Sequence, residues 1–190
     1  MTDLETLKNA LAILNDLVST ACVQAGVTGQ HKFTLTEKKE AAQGRLDKIH
    51  IDKITHPFSL FFPDKAKPLC AFLKEGKTQK ACDSVIATYY GGKFYLIVCE
   101  LKCGRTTGVA TQLKNTAAFI DLLVSLSRHH YDLDLSQWNR RYVVLGAGRL
   151  NKKLTRPGQL KAGATPSRPK EISVKNDTIL PLGALCGGHA

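Results

Sequence analysis

Two carboxylates and an ammonium stand at a spacing that a hairpin would bring together. Asp83 precedes a run of β-branched and aromatic residues, Gly91-Gly92 interrupts that run, and a second run ends in Glu100-Leu101-Lys102. Adjacent glycines supply the two positive φ angles of a tight two-residue hairpin turn. With that turn Tyr90 faces Lys93, and counting back along both strands sets Asp83 directly opposite Glu100. Directly opposed residues of an antiparallel pair hold their Cβ atoms roughly 4.5–5.5 Å apart. Lys102, two residues beyond Glu100, shares its face. Two carboxylates at the end of a sheet repel unless a divalent cation or the neighbouring ammonium neutralises them. An Asp/Glu–Lys surface cluster is the plainer reading of the same residues, and a one-residue bulge would break the register.

The elements that must position this cluster follow from the residues around it. The hairpin strands, Ala81–Tyr90 and Lys93–Cys103, are apolar on both faces. Val85, Ala87, Tyr89, Phe94, Leu96 and Val98 share the face of the ionisable groups, and Ile86, Tyr90, Tyr95, Ile97 and Leu101 fill the other. A sheet apolar on both sides needs cover on both sides, which predicts an α/β sandwich. Thr2-Asp3-Leu4-Glu5 has the form of a capping box, and Leu4, Leu7, Leu11, Leu14, Val18 and Ala21 recur at helical spacing, so a helix is predicted over 3–24. A second helix is predicted from Thr107 to about His129, and strands over Lys48–Ile54, Arg141–Gly146 and Ile172–Leu182. A short helix is expected over Glu37–Leu46. Pro57, Pro63 and Pro68 mark loops around Phe58–Phe62.

The chain has 190 residues with 43% hydrophobic and 23% charged side chains, in the range of one ordinary globular domain, so a single domain over 1–190 is expected and wholesale disorder is excluded. No run of about 18 apolar residues offers a spanning helix, so no membrane partner is expected. Asp3 and Glu5 stand where a signal peptide carries Lys or Arg, and the expected location is cytoplasmic. The six cysteines form no C-x-x-C, so no structural zinc site is readable and free thiols are expected. The net charge of +11 is uneven: residues 138–175 hold ten basic side chains and one acidic, Glu171. A surplus of that kind points to a polyanion, nucleic acid first. Residues 149–170, basic and rich in Gly and Pro, are expected to form a loop or arm.

The hairpin motif resembles the PD-(D/E)xK nuclease superfamily. The residues that carry the likeness are Ala81-Cys82-Asp83, the apolar hairpin, and Val98-Cys99-Glu100-Leu101-Lys102-Cys103-Gly104, followed by a helix bearing Gln112-Leu113. The sequence is also similar to small stand-alone members in which an E-L-K-G-type strand precedes a Gln-Leu helix. Position 82 is Cys where the motif's name has Pro, and Cys103 intervenes before Gly104. The resemblance spans roughly residues 48–147. It implies a restriction-endonuclease-like three-layer sandwich, with a mixed central sheet flanked by helices. It also implies a metal-dependent nuclease that hydrolyses phosphodiester bonds, with DNA ahead of RNA. Asp83, Glu100 and the Leu101 carbonyl would hold Mg²⁺ or Mn²⁺. Lys102 would orient the attacking water or stabilise the transition state, and Gln112 would position the water or a backbone phosphate. The upstream acid of such sites has several candidates: Glu5, better explained by capping, and Asp16, Glu37, Glu40 and Asp52, of which the strand residue Asp52 is favoured. The resemblance also implies a phage-defence or counter-defence setting, with a homodimer or a protein partner.

Arg105, Arg140, Arg141, Arg149, Lys152, Lys153 and Arg156 are the candidate phosphate contacts. Trp138, Tyr131 and Tyr142 are candidate stacking residues, although a lone Trp beside a strand is more often packing. Arg128-His129-His130 fits a helix C-terminus, where cations complement the dipole. Gly146-Ala-Gly148 lacks the third glycine of a dinucleotide fingerprint. The alternative function is a catalytically inactive nucleic-acid-binding or protein-interaction module on the same fold.

Overall fold

The computed structural model describes residues 2–26, 30–36, 46, 48–63, 80–102, 108–147 and 163–187. Helix α1 (Asp3–Leu17) opens on the expected capping box: the Glu5 amide donates to Thr2 Oγ1, and Glu5 Oε2 accepts from the Thr2 amide at 2.9 Å. It ends seven residues short of the expected boundary at residue 24. Val18 is already extended, a short 3₁₀ turn follows, and β1 (Val23–Ala25) pairs with β4 (Phe58–Phe61). Strand pairing has overridden the helical repeat there, and Phe58–Phe61 is a strand rather than the expected loop.

Six strands form the main sheet, in the order β1, β4, β5 (Ser84–Tyr90), β6 (Lys93–Lys102), β7 (Asn139–Ala147) and β8 (Lys170–Val174). The first four are antiparallel in sequence around the sheet, and β6, β7 and β8 run parallel. The parallel step from β6 to β7 is made by helix α2 (Val109–Tyr131). A second, three-stranded mixed sheet has the order β2 (Phe33–Thr36), β3 (Lys48–Asp52) and β9 (Thr178–Pro181). Helix α3 (Leu182–Cys186) closes the described chain. The final strand expected over Ile172–Leu182 is two strands in different sheets, because Asn176 and Asp177 turn the chain between them, Asp177 with φ +58°.

The fold is mixed α/β, with an apolar core on each side of the main sheet. On one side α1 and α2 pack on Val85, Ala87, Leu96, Val98 and Val144. On the other, β2, β3 and α3 pack on Ile86, Tyr95, Ile97, Leu101 and Val143. The two-faced apolar pattern of the hairpin is the cause: each face removes its own row of side chains from water. The second face is covered by a small sheet as well as a helix, where helices alone were expected. Tyr89 and Tyr131 fasten α1 at its two ends, donating to Asp3 Oδ2 at 2.7 Å and to Asp16 Oδ2.

The hairpin register is the expected one: Tyr90 pairs with Lys93, and the ladder runs to Ser84 opposite Cys99. Gly91 and Gly92 take φ +54° and +77°, with open space where a Cβ would stand. Adding that Cβ therefore costs only conformational strain. Gly92→Ala is expected to lower the unfolding free energy by about 1–2 kcal/mol, the cost of a left-handed L-residue, with an unchanged urea m-value. The expected Glu37–Leu46 helix lies outside the described residues except for Leu46, as do Pro68, Cys70, Cys103, Gly104 and residues 149–162 of the basic arm.

Candidate active site

The ladder between β5 and β6 stops one residue short of Asp83, and the polar groups of the site take over from there. Asp83 accepts at Oδ2 from the Leu101 amide at 2.6 Å, and its own amide donates to Glu100 Oε2 at 3.3 Å. The two carboxylates are thus laced together through the backbone of both strands. Lys102 Nζ lies 2.5 Å from Glu100 Oε1, and the side chains of Glu100 and Lys102 are 1% and 20% exposed. From α2, Gln112 donates from Nε2 to the Ala81 carbonyl at 3.1 Å, which sets its amide beside the Glu100 carboxylate. The structure therefore brings together Asp83, Glu100, Lys102 and Gln112, all on the α1–α2 side of the main sheet.

Burial dominates the electrostatics. It holds the Glu100 carboxyl above its ordinary range, and the adjacent Lys102 ammonium, the Asp83 amide and Gln112 only partly restore it. The Cys82 thiol is pushed well up by burial and then by the Glu100 charge, and Cys99 is pushed up by burial and then by Asp83. Both stay protonated thiols. Cys22, Cys82, Cys99 and Cys186 are all free and buried, as expected of the described cysteines.

The donor chemistry at this sheet end suits a hard divalent cation. Asp83 and Glu100 contribute carboxylate oxygens. In an extended strand the N–H and C=O of one residue point to the same side, so the Leu101 carbonyl faces the edge where its amide meets Asp83. Asp52, the favoured candidate for a third carboxylate, stands at the end of β3 in the small sheet and not on the hairpin. Ile49 and Ile51 of β3 face the core, so Asp52 shares the opposite face of the small sheet with His50, and its buried Oδ1 has no hydrogen-bond partner. Asp16 is engaged by Tyr131 and Glu5 by the helix cap, while Glu37 and Glu40 lie outside the described residues. Among the described residues no three His, Cys, Asp or Glu side chains gather around a common point.

The candidate phosphate contacts divide. Arg140 and Arg141 sit on opposite faces of β7 and are both half-buried. Arg140 pairs with Asp121 of α2, and Arg141 donates to the Cys186 carbonyl at 3.1 Å and lies over the Tyr95 ring. Both guanidinium groups are held by the fold itself. Arg105, Arg149, Lys152, Lys153 and Arg156 lie outside the described residues. Of the aromatic candidates, Trp138 stacks on Phe94 at 5.1 Å within the core and Tyr142 is buried, so both are packing residues. Arg128 pairs with Asp134 beyond the end of α2, and His129 and His130 occupy its last turn.

Sequence reasoning singles out Gln112 on α2 and passes over Asn115 and Thr116, which bond the same strand entry. The signal was a polar stripe at 112, 115 and 116 beside the apolar Leu113 and Ala117. Compared with family models, curated proteins and solved structures, the chain matches none. Among the described residues no helix is long and apolar enough to cross a membrane.

Proposed function

We propose that this chain is a metal-dependent nuclease of restriction-endonuclease-like architecture, acting on phosphodiester bonds with DNA as its substrate. The observation that carries this reading is the convergence of Asp83, Glu100 and Lys102 at the end of one hairpin, with Gln112 over them. Asp83, Glu100 and the Leu101 carbonyl are the groups that would hold Mg²⁺ or Mn²⁺. Bound there, such an ion supplies an acidified water and neutralises phosphate charge.

The chain's own residues have distinct tasks. Lys102 neutralises Glu100 at rest. With a cation held by the carboxylates, the Lys102 ammonium would be the group placed to stabilise negative charge developing on the phosphate. Gln112 is a positioning residue, because its amide is spent on the Ala81 carbonyl at the entry to the strand that carries Asp83. The basic surplus of residues 138–175 supplies attraction to the phosphate backbone, and Arg140 and Arg141 contribute to the field although their side chains are paired internally.

The test is cleavage of plasmid DNA and of a folded RNA with Mg²⁺, with Mn²⁺ and with EDTA. Expected is cleavage of DNA that either metal supports and EDTA abolishes. Salt-sensitive retention of DNA with no cleavage under any metal would replace this reading with a binding module.

A further inference from the structure

The hairpin register, continued one step past Asp83, would place Cys82 opposite Leu101. Counting from the turn, that pair belongs to the hydrogen-bonded class, in which both residues exchange N–H···O bonds. The exchange does not take place. The Cys82 amide donates instead to Thr116 Oγ1 of α2 at 2.9 Å, and the Leu101 amide donates to Asp83 Oδ2 at 2.6 Å. Two further bonds from the same helix hold the preceding residues: Gln112 Nε2 donates to the Ala81 carbonyl at 3.1 Å, and Asn115 Nδ2 to the Lys80 carbonyl at 2.8 Å. Positions 112, 115 and 116 form one stripe of a helix. Three consecutive residues, 80 to 82, are thus drawn off the sheet and onto α2.

We propose that Thr116, assisted by Asn115, is a positioning residue for the Asp83 carboxylate. By taking the Cys82 amide, Thr116 ends the β5–β6 ladder and leaves the Leu101 amide to the carboxylate. Thr116 is fully buried and its hydroxyl is bonded to Cys82, so the bond is shielded from competition by water. The catalytic part of this role rests on the nuclease reading; the placement of Asp83 does not.

The decisive variant is Thr116→Val, which keeps the side-chain shape and removes the acceptor; Thr116→Ser keeps the acceptor. Two readouts separate the placement from the activity. The first is the Leu101 amide proton resonance in a ¹H–¹⁵N spectrum, with Asp83→Asn marking the position it takes without a carboxylate and Ile97, in the intact ladder, as the control. Thr116→Val is expected to move Leu101 toward its Asp83→Asn position and leave Ile97 in place, and Thr116→Ser to restore it. The second readout is cleavage, where Thr116→Val is expected to lower kcat by about 10–100-fold, the usual scale for residues supporting a metal ligand, at unchanged KM. A Leu101 resonance unmoved in Thr116→Val overturns the proposal whatever the cleavage rates. A moved resonance with full kcat overturns its catalytic part. A moved resonance in a protein whose wild type never cleaves upholds the placement and removes the nuclease reading.

Discussion

Glu100→Gln is expected to slow metal-dependent DNA cleavage by about 10²–10³-fold or more, the scale of removing one preorganised electrostatic contact to the reacting centre. The substitution keeps the shape of the side chain and removes one of the two carboxylate charges that face each other across the strand ends. It is also mild for the fold. Burial already disfavours the Glu100 carboxylate, so a neutral amide suits the 1% exposed position. The loss should therefore fall on kcat, with the melting temperature close to that of the parent. KM for DNA should change little, because the phosphate attraction comes from the basic region rather than from the carboxylates. Initial rates of plasmid nicking at saturating Mg²⁺, set beside a circular-dichroism melt, measure both quantities. A folded Glu100→Gln protein that cuts at the parent rate would remove Glu100 from the site.

The cluster was legible because one local feature set its geometry. Gly91-Gly92 fixes the turn, the turn fixes the register, and the register places Asp83 against Glu100 with no tertiary information. The two-sided apolar pattern of the same strands foretold two cores in the same way. What lay beyond local pattern was lost. Phe58–Phe61 is buried at every position, so it carries no alternation, and prolines on either side made it read as a loop. The three residues of β1 form a strand because Ser59, Leu60 and Phe61 are there to pair with them. The arginines were legible as charge and not as contacts, since Asp121 and the end of α3 are distant in sequence from β7. Thr116 escaped for a related reason: the polar stripe it shares with Gln112 and Asn115 is visible in the sequence, but its partner, a backbone amide, is not.

Lys102→Met is expected to destabilise the protein by about 3–5 kcal/mol at pH 8, the usual cost of leaving a buried charge without its partner, and by far less at pH 4. The sign follows from Glu100. Its folded pKa lies above the ordinary 4.5, raised by burial and restrained first by the Lys102 charge. A carboxyl of that kind favours the fold while protonated. The contribution is complete below the unfolded pKa and is lost as pH rises through the folded value. Without Lys102 the folded value climbs further, so the stability lost between pH 4 and pH 8 grows. The double variant Glu100→Gln/Lys102→Met removes both charges and should recover most of the loss at pH 8, giving a coupling that disappears at pH 4. Urea titrations of the four proteins at pH 4, 6 and 8 close this cycle. If Lys102→Met is destabilised equally at pH 4 and pH 8, the lysine acts through its apolar stem and the ion pair contributes nothing. A pH-dependent coupling instead identifies Lys102 as the charge that keeps Glu100 ionised inside the fold, which is the state a cation-binding carboxylate requires.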